Sequence, residues 1–259
     1  MPNSITPAQL SRLIGLPDCP TIIDVRVPED VALTPALIPT SRLHPYGDIL
    51  SLDLVGPVVV SCQRGGKLSE GAAALLRTRG IKAERLEGGF VAWAEAGLPV
   101  IPAAAIPGPL WVTRARPKID RIACPWLIRR FVDPGAQFLF VTPSDVPAVA
   151  EKFAATPFDI DGVFWSHRGD TCTFDTMLTE FGLQTDALLR LATVVRAADT
   201  DRHDLSPQAA GLLAISVGLS RQYRDDLEQL SAGMALYDAL YRWARDGFAE
   251  GHDWPAGKP

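Results

Sequence analysis

Apolar positions in the first part of the chain come in short unbroken runs bounded by turn residues. Thr21-Ile22-Ile23-Asp24-Val25-Arg26 predicts a strand ending in Asp-Val-Arg, and Val58-Val59-Val60-Ser61 predicts one of the fully buried kind. Leu86 closes a further strand, after which Glu87-Gly88-Gly89-Phe90 turns on glycine into a short helix. The pattern changes after Ile101-Pro102-Ala103-Ala104-Ala105-Ile106-Pro107-Gly108-Pro109, whose three prolines and one glycine cannot sustain a helix. Beyond it, residues 110–114, 137–141 and 162–165 predict strands. Ile119, Ile122, Ala123, Trp126, Leu127 and Phe131 recur at helical spacing, with Pro125 marking a late start or a kink. After Thr173 the pattern is helical, most strongly over 188–198, 208–217 and 225–245. Two domains are expected: 1–102, then a linker over 103–109, then 110–259 as a mainly helical α+β domain with a small sheet.

Composition narrows the classes. A chain of 259 residues can bury a core in each of two domains, and 47% hydrophobic content excludes a disordered one. The net charge of −5 gives no general affinity for nucleic acid or anionic lipid, and no helix-turn-helix is recognisable. The first ten residues lack the basic start and apolar run of a signal peptide, and no apolar stretch reaches membrane-spanning length. A cytoplasmic location without membrane partners is the expectation. Cys19, Cys62, Cys124 and Cys172 are widely spread without a Cys-x-x-Cys pair, so reduced thiols are expected rather than a zinc ribbon or a disulfide framework.

The sharpest chemistry lies at Cys62-Gln63-Arg64-Gly65-Gly66-Lys67, where a strand delivers one cysteine into a short basic loop and a helix follows. Loop amides, the positive end of the helix dipole and the charges of Arg64 and Lys67 all favour a thiolate. The plainer alternative is a packed cysteine at a strand end. Together with Asp24-Val25-Arg26 and the run Gly88-Gly89-Phe90-Val91-Ala92-Trp93-Ala94-Glu95-Ala96-Gly97-Leu98-Pro99, the loop resembles the rhodanese family of sulfurtransferases over roughly the first hundred residues. The resemblance implies a doubly wound α/β domain in which Cys62 carries a persulfide. The family's usual His-Ile-Pro-Gly-Ala segment appears here as Leu37-Ile38-Pro39-Thr40-Ser41. Cysteine phosphatases of similar outline need a longer loop closing on an arginine, whereas the five residues after Cys62 end in Lys67. Cys62 is thus the expected nucleophile, and Lys67, Arg64, Gln63, Gly65 and Gly66 the expected hold on a thiosulfate-like anion, with no cofactor and with thiols as acceptors.

The second domain offers two further groups. Arg114, Arg116, Lys118 and Arg121, followed by Arg129 and Arg130, stand against Asp120 alone, a local excess that suits an oxyanion or else a solvated face with internal ion pairs. Strand alternation places Arg114 and Arg116 on one side. His167, Asp175 and Asp199 form the expected ligand set for a divalent metal, zinc, iron or manganese. The alternative reading gives Asp175 to a helix N-terminus and His203 to a helix C-terminus.

The run from Trp111 to Phe131, with His167, Gly169, Cys172-Thr173-Phe174, Val195-Arg196, Ala198-Asp199-Thr200 and Leu236-Tyr237-Asp238-Ala239-Leu240-Tyr241-Arg242-Trp243, resembles the ChrB C-terminal family of bacterial chromate resistance. That resemblance implies an accessory or regulatory role in chromate resistance. Chromate, a sulfate-shaped dianion, would meet Arg114, Arg116, Lys118 and Arg121, with Cys124 as an electron donor. Two functional classes follow: a sulfurtransferase coupled to a resistance role, or a non-catalytic, oxyanion-responsive regulator or metal-binding accessory protein.

Overall fold

The computed structural model of the chain describes residues 3–251. In the first domain β1 (Ser4–Ile5), β2 (Thr21–Asp24), β4 (Arg42–Leu43), β5 (Val58–Ser61) and β6 (Ala83–Leu86) form one parallel sheet in the order β1-β6-β5-β2-β4. Every residue of β5 is buried, as a central parallel strand covered on both faces requires. Alternation along the strands sorts the two cores. Ile23, Val58 and Val60 face α3 (Lys67–Thr78) through Ala72, Ala73 and Leu76, whereas Ile22 and Val59 face the other way, toward Leu10 of α1 (Pro7–Ser11) and Phe90 and Trp93 of α4 (Gly89–Glu95). This is the expected doubly wound arrangement; α2 (Pro28–Leu33) completes the domain beside the antiparallel pair β3 (Ala36–Leu37) and β7 (Ile101–Pro102).

The proline-rich segment is not a loose tether. Its first two residues are β7, Ile101 is buried, and Ala103–Ala105 make a 3₁₀ turn.

The second domain begins with β8 (Leu110–Arg114), which pairs in parallel with β9 (Gln137–Val141) and β10 (Thr156–Pro157). The third strand is therefore not the expected 162–165. Gly162 turns the chain at a positive φ, Phe164 is exposed, and Trp165 makes a single bridge to Phe158. The burial of Trp165 comes from stacking on Phe181 at 4.8 Å, so its apolar character reflects aromatic packing rather than a sheet.

Around this sheet lie α5 (Asp120–Leu127), α6 (Val146–Phe153), α7 (Thr173–Glu180), α8 (Asp186–Asp199), α9 (Gln208–Gln222) and α10 (Asp226–Arg242). Helix α5 runs through Pro125 and widens into a π turn over Ile128–Val132. Trp126 occupies the centre of an aromatic group formed by Phe131, Phe174, Tyr237 and Tyr241. Its indole N–H donates to Asp238 at 2.8 Å, and the same carboxylate takes both arms of Arg130 at 2.8 and 2.9 Å. The Tyr-Asp-x-x-Tyr run of α10 thus closes the core.

One apolar cluster spans both domains. Leu10, Ile14, Phe90 and Trp93 are continuous with Phe131, Leu188 and Tyr241. At Gly15, with φ of +85°, a Cβ would stand 2.4 Å from the Phe131 ring and 2.8 Å from that of Tyr241, so only glycine lets the two surfaces meet. Across the same seam the Thr40 amide donates to the Phe131 carbonyl at 2.8 Å.

Candidate functional sites

Strand β5 ends at Ser61 in the middle of its sheet, which brings Cys62 to the carboxyl edge where open α/β sheets bind ligands. The thiol is nearly covered, at 5% exposure, and its Sγ lies 3.2 Å from the Ser69 hydroxyl on the first turns of α3. Ser69 Oγ also reaches the Gly66 carbonyl at 3.1 Å. A hydroxyl has one proton to give. With Cys62 as a thiol, Ser69 accepts from S–H and donates to Gly66; with a thiolate, the same proton can turn to sulfur. Sequence reasoning passed over Ser69, although a serine in the first turn of a helix behind a loop cysteine is a readable signal.

Three supports hold the loop. The amides of Phe90 and Val91, opening α4, donate to the carbonyls of Cys62 and Gln63 at 2.9 and 3.0 Å. Arg85 on β6 donates to the Gly65 carbonyl at 3.0 Å and pairs with Glu70. Gly89 presses its α-carbon onto the loop so closely that a Cβ would lie 2.1 Å from the Cys62 carbonyl oxygen and 2.5 Å from the Gly65 nitrogen. The glycine pair at 88–89 is therefore the seat of the cysteine loop. Beneath it, Asp24 and Arg26 form a buried ion pair at 2.7 Å, and the guanidinium continues to the Ala36 carbonyl and lies 3.9 Å over the Phe90 ring. Burial pushes the Asp24 carboxyl up, against the pull of Arg26 in the other direction.

Among the described residues, the amides of Gln63, Arg64, Gly65, Gly66 and Lys67 donate no hydrogen bond within the chain. Arg64 and Lys67 are exposed and have no acidic partner within ion-pair distance there. Five free amides and two free cations beside one sulfur make a receptor for an anion.

In the second domain the structure divides the expected basic group. Arg114 and Arg121 converge on one carboxylate, Asp159, at 3.1 and 3.3 Å. Arg116 does not join them: β8 ends at Arg114, the backbone of Arg116 turns to a φ of +58°, and its side chain runs to the Ser220 carbonyl while its amide faces Asp226. Lys118 is exposed and apart, and Arg129 and Arg130 are bound to the Ala136 carbonyl and to Asp238. Alternation predicted a shared side for Arg114 and Arg116; the turn of the backbone at Arg116, past the end of the strand, removes it.

The expected metal set is also revised. His167 and Asp199 meet, with Nε2 3.2 Å from Oδ2. Asp175 is elsewhere, accepting from the Cys172 amide at the start of α7 and pairing with Arg196 at 2.7 Å. Its place is taken by Asp120 and Asp159, whose oxygens lie 3.6 and 3.4 Å from the same imidazole nitrogen. Asp120 is fully buried at the start of α5; its Oδ2 accepts from the Thr173 amide at 2.6 Å, and its Oδ1 has no partner. Three carboxylates around one imidazole nitrogen push His167 up to about 12, with Asp120 contributing most. Burial lifts Asp120 to about 7, with the charges of Asp199 and Asp159 adding to it. The expected electron donor fares badly: burial drives the Cys124 thiol well above its ordinary range and no surface of it is exposed. His203 lies 3.6 Å from Asp201, outside this group.

Residues 111–244 match the family described as ChrB, C-terminal domain. The chain belongs to the ChrB C-terminal domain family. The ChrB match covers Asp120, Asp159, His167 and Asp199 together with the Trp126 aromatic group. Protein ChrB of Cupriavidus metallidurans is 36% identical over 135 residues, which are 52% of this chain and 40% of that protein, so the alignment spans less than half of its relative. For the part before the ChrB domain, similar solved structures include the following three. A rhodanese-related protein from Thermoplasma volcanium is 28% identical over 38% of this chain and 97% of its own, with a TM-score of 0.34. A rhodanese-like domain protein from Staphylococcus aureus is 30% identical over 35% and 90%, at 0.31. A thiosulfate sulfurtransferase from Pseudomonas aeruginosa is 24% identical over 39% and 19%, at 0.34. The parallel five-stranded order and the cysteine loop at its carboxyl edge carry the fold assignment for that domain on their own. Among the described residues no helix is long and apolar enough to cross a membrane.

Proposed function

We propose that the first domain is a sulfurtransferase using Cys62 and that it serves the chromate-resistance role implied by the ChrB domain. The observation that supports this most directly is the set of unpaired amides from Gln63 to Lys67 in the loop that follows a single thiol, with Arg64 and Lys67 exposed in the same loop. A thiosulfate-like dianion would seat its sulfonate on these donors and turn its outer sulfur to Cys62. The Cys62 thiolate attacks that sulfur, a new S–S bond forms, and the old S–S bond breaks with its electron pair leaving on sulfite. An acceptor thiolate then attacks the outer sulfur of the persulfide, takes it, and returns Cys62 as thiolate. Ser69 holds the sulfur in place through both steps and donates to its anionic form.

The test is the intact mass of the full chain after thiosulfate treatment. The wild-type protein is expected to gain one sulfur atom that a small thiol removes, and Cys62→Ala to gain none. Lys67→Ala is expected to raise the thiosulfate concentration needed for half-loading by about tenfold, the loss of one charge-assisted contact. A mass gain that survives in Cys62→Ala would remove the proposal.

A further inference from the structure

The group around His167 is unlike an ordinary surface ion-pair network in two respects. First, a nitrogen and two carboxylate oxygens from three separate residues lie close enough together to share one ion. Nε2 lies 3.2 Å from Asp199 and 3.6 Å from Asp120, and one atom from each of the three residues can be chosen with all of them within 4.8 Å of one another. Donors about 2.0–2.2 Å from a common cation stand roughly 3.0–3.6 Å apart in octahedral or tetrahedral arrangement. Second, Asp120 is completely buried, yet its Oδ1 lacks any hydrogen-bond partner among the described residues. A buried carboxylate oxygen left unpaired costs free energy unless something positive reaches the group.

We propose that Asp120, His167 and Asp199 bind one divalent transition-metal cation of the manganese, iron or zinc class. Imidazole with two carboxylates fits these ions better than calcium, which takes oxygen alone, or copper(I), which takes sulfur. The Cys172 thiol is turned to Asp175 instead. Asp159 stands 3.4 Å from the same nitrogen but is occupied by Arg114, Arg121 and the Thr173 hydroxyl, so it is not counted among the ligands. The three segments that supply the ligands are fixed independently. Asp120 is anchored by the first amides of α7, Asp199 is the last residue of α8, and His167 precedes the Arg168–Thr171 turn. His167 is 40% exposed and Asp199 19%, so the group can be reached from solvent.

The full chain, stripped with a chelator, should be titrated with Mn²⁺ followed by paramagnetic resonance, and with Co²⁺ and Zn²⁺ followed by visible absorption and competition. One saturable site per chain is expected, with absorption bands from Co²⁺. His167→Ala and Asp199→Asn, both at accessible positions, should each weaken binding by about tenfold or more. Asp175→Asn should bind as the wild-type chain does, since its carboxylate serves the α7 cap and Arg196. Absence of a saturable site, unchanged affinity in the His167 and Asp199 variants, or a loss as large in Asp175→Asn would each overturn the assignment. None of these outcomes depends on Cys62.

Discussion

Gly89→Ala is expected to lose about 2–5 kcal/mol of stability and with it the order of the cysteine loop. The residue has a φ of +60°, in the left-handed region where a side chain is strained, and the added carbon would fall 2.1 Å from the Cys62 carbonyl oxygen. Both neighbours in that contact are backbone, so no flexible side chain can move aside. The loop must lift, and the bonds from Phe90 and Val91 to Cys62 and Gln63 go with it. The same substitution at Gly71 should have the opposite sign. Gly71 lies inside α3, nothing stands within 4 Å of its would-be Cβ, and alanine there should gain about 0.5–1 kcal/mol from the lower entropy of the unfolded chain. Urea unfolding of the two variants checks the pair; a Gly89→Ala midpoint equal to that of the wild type would show that the loop is not seated as described.

Arg26→Ala should cost about 3–5 kcal/mol, because it strands a buried carboxylate rather than removing a surface contact. The arginine side chain is wholly covered and that of Asp24 is 1% exposed. Part of the loss should return in acid. Asp24 already holds its proton above the ordinary carboxyl range because of burial, and without Arg26 the opposing pull is gone. A raised native value means that the folded state binds the proton more tightly than the unfolded one, so stability increases as the pH falls from the raised native value toward the ordinary 3.8 and levels off beneath it. The double variant Asp24→Asn with Arg26→Met should be less damaged than Arg26→Ala alone. Equal losses in the single and double variants, or a loss independent of pH, would refute the buried-charge explanation.

Much of the first domain was legible because its signals are local. A β-branched run, a loop cysteine and a glycine pair each state their own conformation, and the parallel sheet follows. What could not be read was which elements touch. The proline-rich stretch looked like a spacer because proline denies it a helix, yet Ile101 pairs with Leu37. In the second domain, His167 and Asp199 carried recognisable ligand chemistry, whereas Asp120 and Asp159 are lone acids far apart in sequence. Asp120 did leave a trace, as the one acid within a run of bases, and it is buried where the bases are not. Asp175 misled because a first-turn carboxylate and a metal ligand are the same residue type. Only the position of Arg196 one helix away separates them.

The seam at Gly15 bears on how the molecule is made. Phe131 and Tyr241 enter the surface behind Ile14, and Leu10, Phe90 and Trp93 belong to the same apolar mass, so each half completes part of its interior against the other. Heating should therefore melt the protein in one calorimetric transition rather than two. A gene cut between the halves would yield two fragments with raw hydrophobic faces, prone to clump. During synthesis the surface around Gly15 stays uncovered until Tyr241, on the last long helix, has left the ribosome, so the Cys62 half reaches its final packing only after that helix is made.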